Sequence, residues 1–312
     1  MYYIGFDIGG TKCAVSLGHI TDRVSILKKE QLPTGLPHPT MDALLQHVKE
    51  WQKEYDITAA GISCGGPLDP KNGIILTPPN LPAWHGFAIA DYIQDACGIP
   101  ATLENDANAC AIAEWKFGAG QGTTNMVFFT FGTGLGAGLI LDGKLYGGAN
   151  GNAGEFGHMR LAPDGPFGYG KQGSFEGFCS GGGIARLAAI MGKRRKVTPQ
   201  CIIDMGGYDH ITTKALAEAA FAGDRFAKSV FAKSGEMLGR GLSVVIDVIN
   251  PERIVIGGVF MRSWQLLVPA MNKVIEREAL SDSARICEIV PAKLSENVGD
   301  MAALAIVGGI QS

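Results

Sequence analysis

At 312 residues, with 46% apolar and 18% charged side chains and a net charge of −3, the chain has the balance of a globular protein, with no electrostatic footprint for nucleic acid or an anionic membrane. Its length exceeds what one hydrophobic core normally serves, so two domains are expected. Seven cysteines without a C-x-x-C spacing argue for reduced thiols in a cytoplasmic protein, and neither a signal peptide nor an apolar run of the ~18 residues that span a membrane is found.

Tyr2 to Phe6 reads as a buried strand, Asp7-Ile8-Gly9-Gly10-Thr11-Lys12 as a tight turn and Cys13 to Leu17 as a second strand. Paired glycines let a ligand approach the backbone, and successive turn amides can form an anion nest that Thr11 and Lys12 would suit to phosphate. The same residues also fit an ordinary hairpin turn. An acid just before such amides makes sense as a holder of magnesium through its water shell. A third strand is expected near 24–31 and an amphipathic helix near 41–55, with Leu44, Leu45, Val48 and Trp51 facing the core. Another strand runs into the loop Gly65-Gly66-Pro67, and the proline-rich stretch 78–84 forms a rigid loop whose one amide side chain is Asn80.

The stretch Glu104-Asn105-Asp106-Ala107-Asn108 follows a short apolar segment and leads into a helical pattern. Asp106 fits two roles there, a cap on the first helical turn or a general base for a substrate hydroxyl. Residues 126–130 form an apolar strand, and 131–140 read as two strands joined by a glycine-lined turn able to hold phosphate. No start within 131–140 satisfies G-x-G-x-x-G leading into a helical pattern, and none of the Gly-Lys pairs is followed by Ser or Thr, so neither a dinucleotide fingerprint in this run nor a P-loop is expected. Glu155 and His158 sit three apart in a glycine-dense loop, where they could bind metal or a polyol, on one side if the segment is helical. A second glycine-rich loop covers 166–176, and a helix starts near 179–188. Lys193-Arg194-Arg195-Lys196 reads as a solvated helix end. A long helix over 224–250 stops at Pro251, the strand 253–256 ends in Gly257-Gly258 where a flat ring could lie, and an alanine-rich helix spans Asp300 to Ile310.

Taken in order along essentially the whole chain, these motifs resemble the ROK family (repressors, ORFs and kinases). The resemblance rests on Asp7 to Lys12, Pro79 to Pro82, Glu104 to Asn108, Gly132 to Gly136, Gly154 to Met159 and Asn250 to Gly258. It implies an α/β, two-domain actin/hexokinase-like (ribonuclease H-like) fold with an active-site cleft between the domains. Those would be residues 1–118, with the helix near 298–312 packed back onto them, and 119–297. It further implies an ATP-dependent kinase acting on a hexose or N-acetylhexosamine, at the 6-hydroxyl. Asp7 would orient Mg-ATP, Gly9, Gly10, Thr11, Lys12, Gly132, Thr133 and Gly134 would cradle its phosphates, and Gly257 and Gly258 would line the base. Asn80, Asn105, Asp106, Glu155, His158 and Glu176 would hold the sugar, with Asp106 as base. A homodimer is implied as well.

The chain departs from the family in one loop. The usual zinc motif C-x-C-G-x-x-G-C-x-E reads here Phe167-Gly168-Tyr169-Gly170-Lys171-Gln172-Gly173-Ser174-Phe175-Glu176, with all three cysteines replaced. No structural zinc is expected, and Phe167 with Tyr169 would form a small apolar cluster in its place. Two other readings remain. A sugar-responsive repressor would need a helix-turn-helix, and this sequence starts directly on its first strand. A sugar-binding regulator that has lost catalysis is opposed by Asp106 and both phosphate turns.

Overall fold

The computed structural model describes residues 1–294 and 298–309. The chain divides into two compact units, one of Met1–Thr124, Gly138–Ala153 and Lys293–Ser312, the other of Asn125–Ala137 and Gly154–Ala292. The expected first domain, 1–118, lacked residues 138–153. They group there because Gly138 lies on the helix after residue 105: a Cβ at Gly138 would sit 2.6 Å from Ala111 Cβ.

The first unit opens with β1 (Tyr2–Ile8), β2 (Lys12–Ile20) and β3 (Val24–Pro33). Then come α1 (Pro37–Trp51), β4 (Ile57–Cys64) and the short strands β5 (Leu68–Asp69), β6 (Ile74–Ile75) and β7 (Phe87–Ala88). It continues with α2 (Ile89–Cys97), β8 (Ala101–Asn105) and α3 (Asp106–Phe117). Helix α1 starts earlier than its apolar spacing suggests because proline stands in its first turn, where a missing amide hydrogen costs nothing. The main sheet has the order β3-β2-β1-β4-β8. β1 to β3 pair antiparallel, whereas β4 runs parallel to both β1 and β8. The register aligns Ile8 with Cys64 and Cys64 with Asn105, so three parallel strands deliver their carboxyl ends together. Ligands gather at such ends in α/β sheets. Ile4, Phe6, Val15, Leu17, Met41, Leu44 and Val48 fill the core between this sheet and α1.

The second sheet has the order β11-β10-β9-β14-β15, from β9 (Met126–Phe131), β10 (Leu135–Leu141), β11 (Lys144–Leu145), β14 (Arg253–Ile256) and β15 (Glu288–Pro291). β14 is parallel to β9 and to β15. Between them run the hairpin β12 (Phe167–Gly168) and β13 (Lys171–Gln172), then α4 (Phe175–Phe178), α5 (Gly181–Lys193), α6 (Gln200–Asp204), α7 (Thr213–Phe221) and α8 (Arg225–Ile249). α9 (Val259–Glu278) and α10 (Ser281–Ile286) separate β14 from β15. Asp224 caps α8 through Ala227 N at 2.7 Å, and Asn250 ends it in the left-handed region at φ 52. α9 packs along α8 and bends at Ser263, whose φ of −130 breaks the helix. The chain returns to the first unit through α11 (Val298–Gly309), whose Ala302, Ala305 and Ile306 pack with Ala109, Ile112 and Ala113 of α3. α11 also lies on the sheet, where a Cβ at Gly61 would fall 2.0 Å from Ala303 O. Ile310, the expected end of this helix, is outside the described residues. Among the described residues no helix is long and apolar enough to cross a membrane.

Candidate active site

In the first unit the aligned strand ends gather a compact set of polar groups. Asp7 is the penultimate residue of β1, and the turn after it closes with Gly9 N donating to Lys12 O at 3.1 Å. The hairpin reading of this turn and the anion-nest reading are compatible, since the turn leaves Gly10, Thr11 and Lys12 exposed. Gly10 faces Asn80: a Cβ there would meet Asn80 O at 2.7 Å. A Cβ at Gly65 would lie 3.7 Å from Asn80 Nδ2 and 3.9 Å from Asp106 Oδ2, so the amide of Asn80 and the carboxylate of Asp106 flank one glycine.

The cap of α3 is Asn105. Its Oδ1 accepts from Ala107 N at 2.9 Å and Asn108 N at 3.4 Å. Asp106 stands one residue inside the helix, exposed, with Oδ1 accepting from Ala107 N at 2.8 Å. Glu104 braces the turn by accepting from Asn105 N and Asn108 Nδ2, both at 2.9 Å, and burial holds its carboxyl above the ordinary carboxylate range.

Asp7 is pushed up to about 6, first by burial and then by the carboxylates of Asp300 and Asp106, with Lys12 and Lys29 opposing. Asp300 is buried and paired with Lys29 Nζ at 2.5 Å. Neither Asp300 nor Lys29 was singled out from sequence. Both lie far from Asp7 along the chain, and only the packing of α11 beside β1 reveals them.

In the second unit Gly132, Thr133 and Gly134 form the turn between β9 and β10, with Gly132 N donating to Gly134 O at 3.0 Å. The start of α5 adjoins it through Gly181 N to Gly132 O at 2.8 Å, and Gly258 lies against the same place. Gly258 has φ +66, and a Cβ on it would fall 2.2 Å from Phe131 O. Gly257 is held by its N–H on Phe129 O at 2.8 Å. These glycines therefore converge at the carboxyl ends of β9 and β14, inner strands of the second sheet.

Glu155 and His158 flank a single 3-10 turn, Phe156–His158, and both are exposed. Glu176 braces the adjacent loops: Oε2 accepts from Leu135 N at 3.1 Å and Oε1 from Tyr169 N at 2.9 Å. The expected apolar cluster does not form, because Phe167 is 57% exposed and Tyr169 uses its hydroxyl to donate to Glu155. Ser174 Oγ donates to Gly168 O at 2.7 Å and accepts from Gly177 N at 3.0 Å, while His158 Nδ1 faces Lys171 Nζ at 3.1 Å. At the family's zinc positions Tyr169, Ser174 and His158 are engaged with protein partners and Phe167 has no ligating atom, a donor set that does not fit a zinc ion.

The ROK family model matches residues 3–309. A glucokinase of Streptomyces coelicolor is 32% identical over 95% of this chain and 94% of its own length. A xylose repressor of Bacillus subtilis is 26% identical over 98% of this chain and 77% of its own length. The crystal structure of a ROK family glucokinase from Streptomyces griseus, in complex with glucose and AMPPNP, matches with a TM-score of 0.78 at 32% identity, over 98% of this chain and 99% of that one. The mixed α/β fold in two units is that of ROK hexokinases and glucokinases, and the chain belongs to the ROK family.

Proposed function

We propose that this protein is an ATP-dependent sugar kinase that phosphorylates a hexose or N-acetylhexosamine at its 6-hydroxyl. One observation carries the reading: the aligned ends of β1, β4 and β8 bring Asp7 and the Gly10 turn to the same edge as Asn80 and Asp106. Phosphoryl transfer needs positioning and neutralised charge more than a strong base, so a carboxylate at a helix start suffices to take the hydroxyl proton. Asp106 is that base. Asn80, Asn105, Glu155 and His158 orient the sugar, and Glu176 supports it through the loops it braces. Gly9, Gly10, Thr11, Lys12, Gly132, Thr133 and Gly134 hold phosphate through backbone amides, the hydroxyls and the ammonium group, and Gly257 with Gly258 flanks the adenine base of ATP.

The crowding of carboxylates around Asp7 is relieved by a divalent cation, so the donor chemistry fits Mg2+ arriving with ATP. Bound there, the ion would neutralise phosphate charge. The chain acts as a homodimer in the cytoplasm, and sedimentation equilibrium tests the dimer: a monomer mass at micromolar concentration contradicts it.

The activity test is a hexose and N-acetylhexosamine panel with Mg-ATP, read as ADP release and product position by NMR. A 6-phosphate is expected. A sugar that binds without releasing ADP supports instead a regulator that has lost catalysis, the reading favoured by the family's repressors.

A further inference from the structure

The hairpin that replaces the zinc loop carries an unusual residue at its tip. Its pairs are Phe167 with Gln172 and Gly168 with Lys171, leaving Tyr169 and Gly170 as a two-residue turn. Both have positive φ, 52 and 75. Glycine suits that region, and asparagine or aspartate tolerates it, whereas a bulky tyrosine is strained. Such an outlier points to a function that holds it in place.

Tyr169 makes three contacts there. Its hydroxyl donates to Glu155, its N–H donates to Glu176 Oε1, and its ring meets that of His158 edge-on, 5.1 Å between centroids at 81°. Burial and the carboxylate of Glu155 push its phenol up, so it stays a donor. Two residues on, Lys171 Nζ lies 3.1 Å from His158 Nδ1. An ammonium group has no lone pair, so Nδ1 must accept and the ring proton sits on Nε2. The hairpin is fastened beneath by Ser174 Oγ on Gly168 O and by Arg160 Nη1 donating to Gln172 O at 2.8 Å.

We propose that Tyr169 and Lys171 are positioning residues, a metal-free clamp that presents His158 as an Nε2–H donor and Glu155 with one carboxylate oxygen engaged and the other turned to a ligand hydroxyl. This rests on the reading of Glu155 and His158 as sugar-binding residues. Both are exposed side chains that would otherwise sample several rotamers, and the clamp supplies the order that a metal supplies elsewhere in the family. A donor and an acceptor fixed side by side select a ligand offering adjacent oxygen groups in matching roles.

The test begins with 15N-histidine-labelled, ligand-free protein above pH 8, the His158 signals assigned by their loss in His158→Asn. The native protein and Lys171→Arg should show protonated Nε2 and bare Nδ1, whereas Lys171→Met should relax toward a mixture of tautomers. Kinetics follow: Tyr169→Phe and Lys171→Met should raise the KM for the sugar about tenfold with kcat within about threefold, while Lys171→Arg recovers most of the loss. Melting temperatures close to the native value show that folding is intact. An unchanged tautomer in Lys171→Met, or an unchanged KM in both variants, overturns the clamp. If the native protein phosphorylates no sugar, the kinase reading fails, and the tautomer measurement still decides whether Lys171 sets His158.

Discussion

A carboxyl group buried beside two other carboxylates resists ionisation, and Asp7, pushed up to about 6, is so placed. The folded protein holds that proton more tightly than the unfolded chain, where aspartate ionises near ~3.9. The group's contribution to stability is therefore complete below about pH 4 and is lost as the pH rises through about 6, a difference of about 3 kcal/mol. Asp7→Asn should melt above the native protein at pH 7.5, by a margin that vanishes near pH 4 in calorimetry, while losing Mg-ATP-dependent turnover. Equal melting at pH 7.5 contradicts this account of Asp7. The sequence made Asp7, Gly10, Asn80 and Asp106 visible because each sits in or beside a turn whose chemistry is local. Asp300, Lys29 and Lys171 were not visible, since their meaning lies in partners that only the fold brings near, and Tyr169, expected in an apolar cluster, instead donates its hydroxyl to Glu155. Glu176 was visible as an expected sugar ligand, whereas its bonds to Leu135 N and Tyr169 N, which tie two loops together, were not.

Elements declared themselves according to how regular their burial is. β1 and β9 are apolar runs flanked by turns, and α8 carries both a long helical stripe and clear stop signals. α9 gives little sign of itself, with Pro269 in its middle and a non-helical Ser263 near its start. The link to α11 depends on Glu114, fully buried, whose carboxylate accepts from Ala119 N at 2.8 Å, Lys293 N at 3.0 Å and Leu294 N at 2.8 Å. Glu114→Gln sets an amide against those N–H groups and should cost about 2–3 kcal/mol in urea unfolding. A loss below about 0.5 kcal/mol would remove Glu114 from this role. Gly61→Ala drives a methyl into the backbone of α11 and should cost about 3 kcal/mol or prevent folding. A neutral Gly61→Ala would mean that α11 can shift off the sheet.

At the scale of the molecule, family membership explains the order of motifs along the chain, and it is shared by glucokinases and repressors alike. Under the proposed kinase reading, whether a bound sugar receives phosphate turns on Asp106 at the start of α3. The most direct measurement compares Asp106→Asn with the native protein for the preferred sugar, using steady-state turnover and calorimetric sugar binding on the same preparations. Turnover should fall by about 10²–10⁴-fold with the sugar Kd within about threefold, as loss of a general base requires. Turnover within tenfold of native, or loss of sugar binding in parallel with loss of turnover, would contradict the role given to Asp106.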